Sequence, residues 1–436
     1  MRKQRSKNSI SIITLGCSKN TVDSEVLMRQ IDANGLTLAE DPNRADIVII
    51  NTCGFIDAAK EESVNTILEA SELKKSGRIR QLYVAGCLSE RYHADLAAEL
   101  PEVDRFFGVT DFKNIIEALG GDYRRELLGE RHLTTPSHFA YLKISEGCDN
   151  PCSFCAIPLM RGGHVSKPME EVIHEARFLA ECGVKELIVI GQDTTSFGLD
   201  RTGQRTLAPL LRALGDIDGI EWVRLMYAFP SQFPRDVLDA MREHPHVCSF
   251  IDIPIQHSSD ALLKSMRRGI TRRATVELIG EIRAQVPNVA IRTTLIVGYP
   301  GEGDAEFDDL LSFVRDMEFD RLGVFTYSQE ENTTAMLLGD PVPQDVKEQR
   351  RAAIMELQES ISLRKNQARV GSTMRVLFDR EEGGYMVGRT EFDAPEVDNE
   401  VLVPVEAFSA PPLPGSFHDI TIVEAHEFDL IGTISR

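Results

Sequence analysis

The sequence predicts a multidomain α/β protein: an amino-terminal parallel α/β sheet, a central partial (βα)6 barrel, and a carboxy-terminal small β-barrel of the oligonucleotide-binding (OB-like) kind. Three observations carry this. Strand and helix signals alternate from residue 9 to about 119 and again from about 140 to 325, the pattern of parallel sheets. A polar, charged stretch at 122–138 separates the two runs, as a linker does. Beyond 370 the alternation gives way to short strands split by Gly and Pro. The domains expected are 8–124, 134–365 and 367–436.

In the first unit, 9–15 is β-rich and 24–34 is helical, with Gly35 as a C-cap. The run 46–51 (Asp-Ile-Val-Ile-Ile-Asn) is continuously apolar, as in a strand covered on both faces. A helix follows at 61–75, a third strand at 81–86, and helices at 91–99 and 111–119. His132 and His138 fall in the linker and read as solvated.

The second unit offers strands at 141–145, 186–191, 222–226, 250–254, 290–294 and 321–325. Its helices are expected at 168–182, 207–214, 234–242, 260–266, 272–285 and 304–317. About six strand–helix units are too few for a closed eight-fold barrel, so a partial barrel is expected. A charged helix at 343–368, with Met355, Leu357 and Ile361 inward, closes it. Short strands follow at 373–378, 385–389, 400–404, 417–425 and 430–434.

The chain of 436 residues carries a net charge of -20, which disfavours a general nucleic-acid binder and favours a basic partner. No apolar run approaches the ~18 residues of a membrane span. The basic start, residues 1–9, leads into Ile10-Ser11-Ile12-Ile13, too short and interrupted for a signal peptide. Without a secretory signal, the eight cysteines suggest metal or catalytic use in a reducing cytoplasm.

Three of them crowd one loop: Cys148-Asp149-Asn150-Pro151-Cys152-Ser153-Phe154-Cys155. Three thiolates at this spacing suit three irons of a [4Fe–4S] cluster, whose fourth iron is then left open. A zinc site would want a fourth Cys or His, and His164 is the nearest. Three more, Cys17, Cys53 and Cys87, each follow a strand of the first unit. Parallel sheets gather ligand sites beyond the carboxyl ends of their strands, so a second three-thiolate site is expected there. Gly16, Gly54 and Gly86 beside them are expected to let backbone approach an inorganic group. Cys182 and Cys248 match neither set and read as small core residues; Glu170-Glu171 and Arg267-Arg268 read as solvated faces, with the basic run 267–273 taken as helix surface.

Barrel chemistry sits in the loops after the strands. Beyond the cysteine ligands, no catalytic residue is singled out. Gly191, Gln192, Asp193, Gln256, Ser258 and Gly298 fall in those loops, and His257 is the one His placed near the site.

The C-x3-C-x2-C loop, with Ile144-Ser145-Glu146-Gly147 before it and Ala156-Ile157-Pro158 after it, resembles the signature of radical S-adenosylmethionine enzymes, specifically their methylthiotransferase family. The motifs Leu15-Gly16-Cys17-Ser18-Lys19-Asn20, Asn51-Thr52-Cys53-Gly54-Phe55-Ile56-Asp57 and Ala85-Gly86-Cys87-Leu88-Ser89-Glu90-Arg91 resemble that family's amino-terminal domain, and the last 65 or so residues its TRAM domain. The resemblance implies two [4Fe–4S] clusters: one on Cys148, Cys152 and Cys155 that cleaves S-adenosyl-L-methionine, and an auxiliary one on Cys17, Cys53 and Cys87 that delivers sulfur. It implies that the six loop residues above line the S-adenosylmethionine pocket, and that an external donor supplies electrons.

Two branches of the family differ in substrate: one modifies an adenosine of transfer RNA, the other an aspartate of small-subunit ribosomal protein uS12. From residue 367 onward there are 13 Asp and Glu against 5 Lys and Arg. An acidic barrel attracts a basic protein rather than RNA. The expectation is therefore methylthiolation of the uS12 aspartate β-carbon, with nucleic acid not a direct substrate and no membrane involved. Transfer RNA modification, or electron carriage without catalysis, are the alternatives.

Overall fold

The computed structural model describes residues 8–435. The basic residues 1–7 lie outside the described residues.

The first sheet is parallel, with strand order β2-β1-β3-β4-β5. Its strands are β1 Ser9–Thr14, β2 Thr37–Leu38, β3 Ile47–Thr52, β4 Gln81–Gly86 and β5 Arg105–Phe106. Every residue of β3 is buried. Alternate side chains explain why. Ile47 and Ile49 pack with Leu27, Ile31 and Ile116 on one face, while Val48 and Ile50 pack with Ile67, Ala70 and Leu88 on the other. Helices Ser18–Ala33 and Phe112–Ala118 cover the first face; Asp57–Lys75 and Cys87–Glu99 cover the second. Three helices start earlier than expected, Asp57–Lys75 by four residues among them. Ser18–Ala33 begins directly after Cys17, and Cys87–Glu99 begins on Cys87 itself and is kinked at Tyr92.

The second sheet has six parallel strands in the order β13-β12-β11-β10-β9-β6. They are β6 Phe139–Lys143, β9 Glu186–Ile190, β10 Trp222–Leu225, β11 Val247–Asp252, β12 Ala290–Val297 and β13 Arg321–Thr326. Short strands β7 Ser145–Glu146 and β8 Val165–Ser166 form an antiparallel hairpin around the 148–155 loop. The sheet does not close, because β6 and β13 remain its edges. Its outward residues, such as Leu187, Val189, Val223 and Leu225, pack under the surrounding helices.

The third unit is a closed barrel in the order β14-β15-β16-β18-β17. Its strands are β14 Thr373–Glu382, β15 Tyr385–Thr390, β16 Glu400–Pro404, β17 Phe417–Ala425 and β18 Asp429–Ile434. Gly383 and Gly384 both have positive φ, which the tight turn from β14 to β15 requires. This barrel packs against the inner face of the second sheet. Leu377, Ala394 and Phe417 join Phe139, Ile188, Trp222 and Phe250 in one cluster.

A buried ion network fastens that contact. Glu186 accepts from Arg224 at 2.7 Å and pairs with Arg389 at 2.8 Å. Arg389 reaches Asp379 at 2.7 Å, and Asp379 meets His138 at 2.7 Å. Glu186→Ala leaves two buried guanidinium groups short of a counter-charge. It is expected to cost about 3–5 kcal/mol, read as a lowered thermal unfolding midpoint by calorimetry.

Three residues depart from the sequence reading. His138 is buried on Asp379 rather than solvated, because the third unit covers the end of the linker. Cys182 is exposed, since it caps the end of helix Met169–Glu181 instead of lying on its inner face. Arg268 is buried, as described below. Cys248 is a core residue as expected.

Candidate active site

Cys17, Cys53 and Cys87 each follow the carboxyl end of a strand, β1, β3 and β4 respectively. Side-chain amides tie these ends together. Asn20 donates to Leu15 O at 2.8 Å and Thr52 O at 3.0 Å, and Asn51 donates to Asn20 O at 3.0 Å. The adjacent glycines let the strand-end loops approach one another closely. A Cβ on Gly16 (φ +89) would stand 2.9 Å from Cys53 Sγ, and one on Gly54 would stand 2.8 Å from Leu88 Cα. Close packing of the three loops on each other therefore demands glycine at these positions. Cys17 is exposed; Cys53 and Cys87 are buried. Burial pushes both buried thiols up, Cys87 to about 12, so ligation there must displace protons.

The other three cysteines lie in the loop between β7 and β8. Gly147 (φ +72) opens it, and a Cβ there would collide with Gly163 O. Cys148 N–H donates to Gly162 O at 3.1 Å, and Ser153 N–H to Met266 O at 3.0 Å. Two side chains aim donors at sulfur: Arg268 Nη1 at Cys152 Sγ (3.2 Å) and Asn150 Nδ2 at Cys148 Sγ (3.4 Å). Arg268 also stacks over the Phe229 ring, 4.3 Å from its centroid. Burial pushes Cys148 up to about 11 and Cys155 up to about 12. Among the described residues no three His, Cys, Asp or Glu side chains converge tightly enough to share one metal ion. A four-iron cluster takes each thiolate on a different iron, and sulfur-directed donors are the surroundings it uses. Four polar atoms near this loop, Ser145 Oγ, Gln192 Oε1, Gln256 Oε1 and Arg268 Nε, are buried without partners. Thiols and orphaned polar atoms together fit a cluster with a polar cofactor.

The six pocket candidates divide. Gln192 and Gln256 keep a free carbonyl oxygen, while Gln192 Nε2 donates to Glu146 at 2.7 Å. Gly191 packs on Ser145, whose Oγ would lie 2.6 Å from a Cβ there. Asp193 spends its oxygens on Thr195, Ser196 and, at 2.8 Å, Asn150 of the cysteine loop. Ser258 Oγ donates to Asp309 on the outer helix Asp304–Met317, at 2.8 Å. Gly298 is glycine because Lys347 lies where its Cβ would be. His257 is fully buried. It accepts from Ser258 N–H at Nδ1 (2.9 Å) and meets Glu302 at 3.1 Å, a structural tie.

Between the cysteine sets lies a buried charge network that the sequence reading missed. Arg161, six residues after Cys155, donates to Asn20 (2.6 Å), Asp23 (3.2 Å) and Glu146 (2.8 Å). Lys143 bonds Asp23 and, at 2.7 Å, Glu146. Burial alone would raise the Glu146 carboxyl, but Lys143 and Arg161 outweigh it and hold it down to about 2. An apolar seam of Cys87, Val109, Ala156 and Met160 runs beside the network. The first unit is thereby docked on the barrel with both cysteine sets at the junction.

Residues 9–108 match the Uncharacterized protein family UPF0004, 142–314 the Radical SAM superfamily and 370–434 the TRAM domain. The fold is similar to that of the radical S-adenosylmethionine methyltransferase TsrM from Kitasatospora setae, at a TM-score of 0.58 and 13% identity, covering 93% of this chain and 82% of that one. Partial barrel, C-x3-C-x2-C loop and superfamily match define a radical S-adenosylmethionine enzyme, a class built around a [4Fe–4S] cluster and S-adenosylmethionine. Curated proteins named ribosomal protein uS12 methylthiotransferase RimO are 56% identical in Flavobacterium johnsoniae, over 99% of both chains, and 53% identical in Chloroherpeton thalassium, over 100% of both. The chain belongs to this RimO family of methylthiotransferases. Among the described residues no helix is long and apolar enough to cross a membrane.

Proposed function

We infer that the chain methylthiolates the β-carbon of an aspartate in ribosomal protein uS12, in the cytoplasm, with S-adenosylmethionine as methyl donor and radical source. The observation that carries this is the full-length relationship to uS12 methylthiotransferases at 52–56% identity. In this reading Cys148, Cys152 and Cys155 hold the cluster that binds S-adenosylmethionine, and Cys17, Cys53 and Cys87 hold a second, sulfur-delivering one. When bound, these groups supply the radical that removes hydrogen and the sulfur and methyl that replace it. The chain's own residues position and shield them. Arg268 and Asn150 direct hydrogen bonds at the thiols, Gln192 and Gln256 offer carbonyl oxygens to the cofactor, and Gly191, Asp193, Ser258 and Gly298 shape the loops around it. The Asp23–Arg161–Glu146–Lys143 network joins the elements that carry the two cysteine sets, as a reaction in which a carbon radical must meet sulfur before it is quenched requires.

The test supplies anaerobically reconstituted protein with S-adenosylmethionine, a reductant and either uS12 or transfer RNA. The expected result is a mass gain of one methylthio group on the uS12 aspartate and none on RNA. A gain on RNA alone would overturn the reading.

A further inference from the structure

Ten Lys and Arg residues are buried among the described residues. Eight are ion-paired with a carboxylate. The two exceptions, Arg268 and Lys19, both stand beside a cysteine set. Arg268 has an acceptor in Cys152 Sγ. Lys19 has none among the described residues: its ammonium lies over the Tyr227 ring, 3.0 Å from the centroid.

Lys19 belongs to the first turn of helix Ser18–Ala33, two residues after Cys17. Tyr227 follows barrel strand β10, held at φ +58 with its N–H on Asp252 Oδ2 at 3.0 Å. Lys19, 6% exposed as a residue, thus sits where the two units face each other. Burial of a charge without an anion is costly, and a ring face offsets only part of that cost. Elsewhere this protein meets the cost with carboxylates, and here the carboxylate is missing.

We propose that Lys19 binds the side-chain carboxylate of the substrate aspartate, with the Tyr227 ring holding the ammonium in place. This rests on the uS12 reading above. The reacting β-carbon is bonded directly to that carboxylate carbon. Whatever grips the carboxylate therefore fixes the β-carbon near where sulfur arrives, and Lys19 is carried by the same loop–helix junction as Cys17. A neutral asparagine at the substrate position would leave the ammonium unpaired, which makes Lys19 a specificity-determining residue.

The test measures binding, by fluorescence anisotropy, of uS12 loop peptides bearing Asp or Asn at the target position to the anaerobically reconstituted full chain. Wild type is expected to prefer the Asp peptide about ten-fold or more, as a charge-assisted contact gives. Lys19→Met is expected to bring the two peptides within about two-fold of each other, while Lys19→Arg keeps part of the preference. Wild type binding neither peptide overturns the uS12 reading itself. Wild type binding both equally, or a preference that survives in Lys19→Met, overturns the role of Lys19 and leaves that reading standing. Equal weakening of both peptides in Lys19→Met and Lys19→Arg alike marks a packing role and also overturns it.

Discussion

Replacing Cys148, Cys152 and Cys155 together with alanine is expected to halve the iron of the reconstituted protein, from about eight to about four atoms per chain, and to abolish formation of 5′-deoxyadenosine from S-adenosylmethionine. The converse triple variant, at Cys17, Cys53 and Cys87, is expected to lose the other half of the iron yet still cleave the cofactor, with no methylthio product. The separation follows from how each set is held. The Cys17, Cys53 and Cys87 set depends on strand ends tied by Asn20 and Asn51; the Cys148, Cys152 and Cys155 set depends on a hairpin loop pinned to Met266 and Arg268. Neither anchor includes the other's backbone. Iron and sulfide analysis, beside chromatography of the nucleoside product, reads both outcomes. Loss of all iron from either variant would mean a single shared centre.

The strand–helix alternation was legible because burial on both sides writes itself into consecutive residues. Ile47-Val48-Ile49-Ile50 needs two apolar faces, and the structure supplies both. The short strands split by Gly and Pro were legible for a local reason too: Gly383 and Gly384, at positive φ, make the turn between two of them. What stayed hidden depends on partners distant in sequence. Asp23 carries no local sign of burial until Arg161, 138 positions later, is packed on it. Arg268 looks like part of a basic surface run until the cysteine loop folds over it. His138 follows the same rule with Asp379. The signal available for Arg161 was its place just after the cysteine loop, where a long cation has few ways to reach water. Ser258 and Gly298 sit in the expected loops, but the loop face alone could not tell a side chain turned to a cofactor from one turned to a helix.

Arg161→Met tests whether the junction itself matters. Removing this guanidinium leaves Asp23 and Glu146 with Lys143 as their shared buried cation. Breaking a buried ion pair from one side costs about 3–5 kcal/mol, because the remaining charge stays uncompensated. The cost falls on the docking of the first unit, so amide exchange should rise in helices Ser18–Ala33 and Ile157–Arg161 ahead of the sheet interiors. The pH dependence has a definite sign. In the native protein Glu146 titrates near 2 instead of its ordinary 4.5, so its contribution to stability is present above 4.5 and is lost as pH falls toward 2. In Arg161→Met the carboxyl rises, and that acid-labile contribution shrinks. Activity should divide as well. Cofactor cleavage needs only the barrel's own loops, but product formation needs both cysteine sets at one junction, and a displacement of about 1 Å costs on the order of 10²-fold. The expected result is therefore methylthio product reduced by about that factor while 5′-deoxyadenosine still forms; a parallel loss of both would place Arg161 in the cofactor pocket instead of at the hinge between the units.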